Sequence, residues 1–237
     1  MIALIFALAC APKPVDPAPG AEAPDPLAND GVNWEREALQ AHMGEHLARV
    51  SSAREAIVKG HLDASRVDLA WLAAHETFPG EPAVWGGFQT AMRNHAAAAA
   101  SATDARTAGR EIGAIGVQCG DCHQSLRIDA RMAEAAEPPP SGTDRHHHAA
   151  RQGWGVQRLW SALVLPSDAA WADAMFALRE PPLSVLELGG EAALQPFAEE
   201  LRELTVEGRT FAPEERAATY GAVVATCAGC HAAAGVH

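Results

Sequence analysis

Apolar positions recur with a helical period along most of the chain. Between residues 34 and 59, Leu39, Met43, His46, Val50, Ala53 and Ile57 step by four and three. That spacing keeps side chains on one stripe of an α-helix. Gly60 follows and is suited to ending it. Further helices are predicted over 63–75, 82–100 and from 103 onward. The last of these carries the stripe Ala108, Ile112, Ile115, Cys119, Cys122. The plan then repeats, with helices predicted over 144–164, 167–178, 191–207 and 213–231. Pro166 separates the first two, and Pro213 with Glu214 and Glu215 suits the first turn of the last. Tyr220, Val223, Cys227 and Cys230 step by three, four and three. The chain therefore reads as all-α: two tandem antiparallel four-helix bundles over 33–137 and 143–237, joined through Glu137-Pro-Pro-Pro-Ser-Gly-Thr143.

Composition supports helices, because alanine is abundant and aromatic residues make up only 5%. Hydrophobic residues form 48% of the 237 positions, enough for sizeable cores. The formal net charge of −12 argues against nucleic-acid binding. It suits a partner protein with a basic, complementary patch.

The N-terminus opens with Met1-Ile-Ala-Leu-Ile-Phe-Ala-Leu-Ala9. This run is too short to span a bilayer but has the length of a signal-peptide apolar region. With small residues before Cys10, residues 1–9 are expected to be a lipoprotein-type signal peptide and Cys10 its lipidation site. Residues 10–32 are proline-rich and read as an extended tether. The expected location is the periplasm or cell envelope, with a membrane reached only through the lipid anchor.

The chemistry sits at the ends of the two predicted bundles. Cys119-Gly-Asp-Cys122-His123 and Cys227-Ala-Gly-Cys230-His231 are both Cys-x-x-Cys-His, the attachment site of c-type haem. On a helix, thiols three apart share a face and can meet the two vinyl groups of one porphyrin. The adjoining histidine then lies beneath the iron as proximal ligand. A thioredoxin-like pair does not need that histidine. A zinc ribbon wants its two cysteine pairs about 15–20 residues apart, whereas these motifs are separated by 108 positions. The spacing also suggests an internal duplication. Two covalent haem c groups are expected, held by Cys119, Cys122, Cys227 and Cys230, with His123 and His231 on the iron.

Four antiparallel helices with this motif on the last resemble the class II c-type cytochromes, the cytochrome c-prime and c-556-like bundles. The resemblance covers roughly 33–137 and 143–237. A tandem pair departs from the usual single bundle. In that family the face opposite the proximal histidine is either empty, giving gas-binding proteins, or filled from the first helix, giving electron carriers. The resemblance thus implies a distal ligand near the start of each half. Overlaying the halves at an offset of 102 pairs His46-Leu-Ala-Arg49 with His148-Ala-Ala-Arg151 and places Met43 on Arg145. His46 and His148 are accordingly the distal candidates. Met43 and His42 are the alternatives in the first half, and His147 and His146 in the second.

The expected function is one-electron transfer between redox partner proteins, without chemistry on a substrate. The alternative is a five-coordinate, cytochrome c-prime-like protein that binds nitric oxide or another small gas. A haem peroxidase needs distal acid–base groups, and no such motif is identifiable. Trp71 and Trp171 are expected to pack within the second helix of each half. His61, His75, His95 and His237 are expected at the surface. Arg49 and Arg151 are read either as partners of haem propionates or as exposed helix charges.

Overall fold

The computed structural model describes residues 36–77, 83–128, 130, 137–142, 144–179, 192–208 and 212–235. The expected signal segment, Cys10, the expected tether and His237 lie outside the described residues. Among those described, the secondary structure is helical throughout, with no strand. The helices are α1 (Arg36–Val58), α2 (Leu62–Ala74), α3 (Gly86–Ser101), α4 (Ala105–Ser125), α5 (Arg145–Val164), α6 (Asp168–Leu178), α7 (Gln195–Glu207) and α8 (Arg216–Ala234). Short 3-10 turns at Ala83–Trp85, Ala192–Leu194 and Pro213–Glu215 lead into α3, α7 and α8. None of the described helices is long and apolar enough to cross a membrane.

The helix ends follow local chemistry. Asp104, Asp144 and Ser167 each place a side-chain oxygen on backbone N–H groups of the next turn, opening α4, α5 and α6. Gly60 ends α1 at φ +82°. Its N–H reaches the Ile57 carbonyl, and the His61 N–H reaches Ala56, which is a Schellman closure.

The helices of the two expected tandem bundles share one core. Val50, Ile57, Leu69, Ile112 and Ile115 from the first half belong to the same buried cluster as Leu159, Trp160, Trp171, Met175, Tyr220 and Val223 from the second. The reason lies in the small residues of the last helix of each half. A Cβ placed on Gly109 would lie 3.1 Å from the Gly221 Cα, and one on Gly113 would lie 2.8 Å from the Ala217 carbonyl oxygen. The residue numbers rise along α4 as they fall along α8, so these helices cross antiparallel and nearly backbone to backbone. Across the same junction, Arg54 of α1 donates to Gln157 of α5. Arg106 of α4 pairs with Glu200 of α7 at 2.8 Å.

Candidate functional site

Each cysteine–histidine motif lies in the last turns of a central helix, the first on α4 and the second on α8. Because those helices run antiparallel, the motifs sit at opposite ends of the molecule. Cys119 and Cys227 each lie about eight residues beyond the crossing, so a rise of about 1.5 Å per residue separates them by about 24 Å along the helix axes. None of these four cysteines is in a disulfide. Cys119 and Cys227 pack against the shared core, while Cys230 packs beside Leu194. Burial pushes the thiols of Cys119 and Cys227 up to about 12 and that of Cys122 up to about 11.

The two motif histidines are held in the same way, and each by the opposite half. His123 Nδ1 donates to the Val164 carbonyl at the end of α5, at 3.1 Å. His231 Nδ1 donates to the Val58 carbonyl at the end of α1, at 2.8 Å. Both acceptors are helix-end carbonyls that need a donor. The Schellman closure of α1 uses Ala56 and Ile57 but not Val58, and the cap bond that ends α5 runs from the Leu165 N–H to Ser161, not to Val164. A carbonyl only accepts, so Nδ1 carries the proton and Nε2 keeps its lone pair. Orienting a histidine ligand through its other ring nitrogen is the usual support for a metal-binding imidazole. The two thiols three residues apart and the adjoining histidine, tied through Nδ1, fit a covalently held haem at either end.

The helix directions also place the distal candidates. Since α8 is antiparallel to α4 and lies with its end beside that of α1, the start of α1 lies at the end of the molecule where α4 carries the first motif. By the same reasoning, the start of α5 lies toward the second motif. Within the run of three histidines, His148 is buried at 8% exposure, whereas His146 and His147 are exposed. His147 is engaged by Asp144. The structure thus sets His148, the residue picked out by the overlay of the halves, apart from its alternatives His146 and His147 by burial.

Toward the middle of α1, His42 and His46 come together with His75, which follows α2. Their ligand atoms all lie within 4.8 Å of one another. His75 Nε2 stands 3.4 Å from His42 Nδ1, and Trp71 stacks on the His75 ring at 3.9 Å. The Nε2 of His46 is buried without a hydrogen-bond partner. Met43 is half-buried on the same helix. The expectation that His75 is a surface residue is therefore corrected. The signal that could have found it is register: with Arg49 paired to Asp68 at 2.9 Å, antiparallel α1 and α2 bring 46 toward 71 and 42 toward 75.

Burial, reinforced by His42, His75 and Arg93, lowers the His46 pKa from 6.5 to about 4. The unfolded chain then takes up the proton first as the pH falls. The stability that depends on neutral His46 is present above about 6.5 and is lost down through about 4. Urea midpoints of the metal-free protein should therefore drop between pH 7.5 and 4.5, and His46→Gln should shrink that drop. An equal drop in both proteins would contradict this origin.

Other expected residues settle elsewhere. His95 is not a surface residue without a role; its Nδ1 lies 2.8 Å from Glu111 and ties α3 to α4. Arg49 is taken by Asp68 and lies over Trp71, while Arg151 is buried and donates to the Pro139 carbonyl at 2.5 Å. Arg49 is a solvent-accessible helix charge on α1, one of its two readings, whereas the buried Arg151 is not. Trp171 is buried and donates to Gly208, so it is not the counterpart of the partly exposed Trp71. No protein-family model matches the chain, and no curated protein or solved structure matches it either.

Proposed function

We propose that this chain is a dihaem c-type cytochrome that carries single electrons between redox proteins of the bacterial cell envelope. The observation that carries the reading is the repeated histidine geometry. Twice, at opposite ends of the molecule, a Cys-x-x-Cys-His presents Nε2 while Nδ1 is tied to a helix-end carbonyl. In this reading Cys119 and Cys122 hold one haem and Cys227 and Cys230 the other, with His123 and His231 as proximal ligands. When bound, the haem irons supply reversible one-electron chemistry. The protein's part is to fix the ligands, keep water away from each site and tune the potential through its surroundings.

For the distal side of the second haem, His148 is the candidate, being the buried member of its run. In the first half the candidates are His46, Met43 and His42. The acidic surface favours partners with basic patches. Export, and a tether from lipidated Cys10, complete the proposal.

The gas-binding alternative differs in one observable. A carrier with both distal faces filled has low-spin ferric haem, whose absorption and EPR spectra persist when carbon monoxide or nitric oxide is offered. An open iron is high-spin and takes up the gas quickly. His148→Ala should convert one of the two haems to a high-spin, gas-binding form and leave the other unchanged. An unaltered low-spin spectrum would remove His148 from the proposal, and a wild-type protein that is high-spin at both irons would favour the gas binder.

A further inference from the structure

We propose that His42, His46 and His75 form a binding site for a divalent first-row cation such as Zn²⁺, separate from both cysteine–histidine motifs. The inference rests on the three imidazoles themselves and does not require the haem reading. Their ligand atoms lie within 4.8 Å of one another. His42 and His46 are one helical turn apart on α1, so they project from one face. His75 stands at the end of α2 and completes a tripod. Metal–nitrogen bonds of about 2.0–2.1 Å at tetrahedral angles place neighbouring nitrogens about 3.4 Å apart. His75 Nε2 and His42 Nδ1 already have that separation, at 3.4 Å, which is long for a hydrogen bond. The buried Nε2 of His46 has no hydrogen-bond partner, an arrangement that costs free energy until something binds it.

The surroundings fix the tripod. Trp71 stacks on His75 and meets His46 edge-on, with ring centroids 5.8 Å apart. Arg93 donates to the His75 carbonyl at 3.2 Å, holding that residue against α3. The cluster lies along the α1–α2 seam, the same row that pairs Arg49 with Asp68.

Comparison of the two halves separates this cluster from the motif chemistry. Both halves carry Cys-x-x-Cys-His, but Arg179 stands at the end of α6 where His75 stands at the end of α2. A feature demanded by haem attachment would occur in both. Three neutral imidazoles leave a fourth coordination position for water or an anion, and nearby Arg93 favours the anion. If His46 and His42 serve a cation, Met43 is the remaining α1 candidate for the distal face of the first haem.

The test uses the full-length, haem-loaded protein, stripped with a chelator and titrated with Zn²⁺ by calorimetry, with metal content measured after desalting. One equivalent is expected. His75→Ala and His42→Ala should each weaken that binding by at least about 100-fold, and His75→Ala, which is not among the distal candidates, should leave haem content and Soret position unchanged. Absence of Zn²⁺ binding, or equal binding by the variants, would overturn the site. So would a protein that binds no Zn²⁺ and in which His46→Ala turns one haem high-spin, since His46 would then be an iron ligand. A chain that lacks haem altogether fails the cytochrome reading by its absorption spectrum, yet should still show a His75-dependent equivalent of zinc.

Discussion

Replacing Cys119 and Cys122 together by alanine is expected to halve the haem that stays with the protein through acid and organic extraction. Replacing Cys227 and Cys230 should do the same, and the four-cysteine variant should retain none. Intact-mass measurement of the denatured chain reads the count directly. The effect is all-or-none because each thioether needs its own thiol, and proximal histidine ligation alone does not survive denaturation. The two sites should lose haem independently, since Cys119 and Cys227 lie about 24 Å apart along the central helices. That separation also weighs against the main competing use of such residues. A zinc ribbon draws its two cysteine pairs onto one ion, whereas here each end has two thiols and one imidazole of its own. A wild-type chain with no covalent mass increment, or a four-cysteine variant that keeps both, would end the cytochrome proposal.

The local part of this architecture was legible in the sequence because it depends on local physics. The four-and-three rhythm from Leu39 to Ile57 and from Ala108 to Cys122 reports helix period directly. Gly60, Pro166 and Pro213 mark ends through backbone restrictions that act within a few residues. The motif histidines were legible as well, but their partners were not. Nothing near His123 in sequence announces the Val164 carbonyl, because that bond depends on how the halves dock. Docking, in turn, depends on Gly109, Gly113 and Gly221, which interrupt no hydrophobic stripe and look like neutral helix positions. His75 was missed for a related reason. A histidine just past a helix end has no periodicity of its own, and only the α1–α2 register brings it to His42. The His146–His148 run shows the opposite case. All three were visible, and only the cap made by Asp144 decides which one turns inward.

Gly221→Ala is expected to disturb both motif sites at once and to destabilise the fold by about 2–3 kcal/mol, the upper part of the range for overpacking. The added Cβ would lie 2.5 Å from the Arg110 backbone nitrogen and 2.7 Å from its Cα. These are backbone atoms, so no side-chain rotation relieves the clash, and α4 and α8 must move apart. Their separation is felt at both ends because the supports are crossed. His231 rides on α8 but is held by the end of α1 in the first half. His123 rides on α4 but is held by the end of α5 in the second. Gly229→Ala is the contrasting case. Its Cβ would meet the Phe197 ring, a side chain that can turn, and the strain should stay near the second motif. Gly153→Ala on α5 meets nothing within 4 Å and should stabilise the helix by about 0.5–1 kcal/mol. Urea unfolding gives the stabilities, and haem spectra recorded in the two single-motif backgrounds report each end separately. Two independent bundles would show a Gly221→Ala effect confined to the second haem. On the dihaem proposal, the crossed arrangement requires the spectrum of the first site to shift too, through a substitution on the helix that carries the other motif.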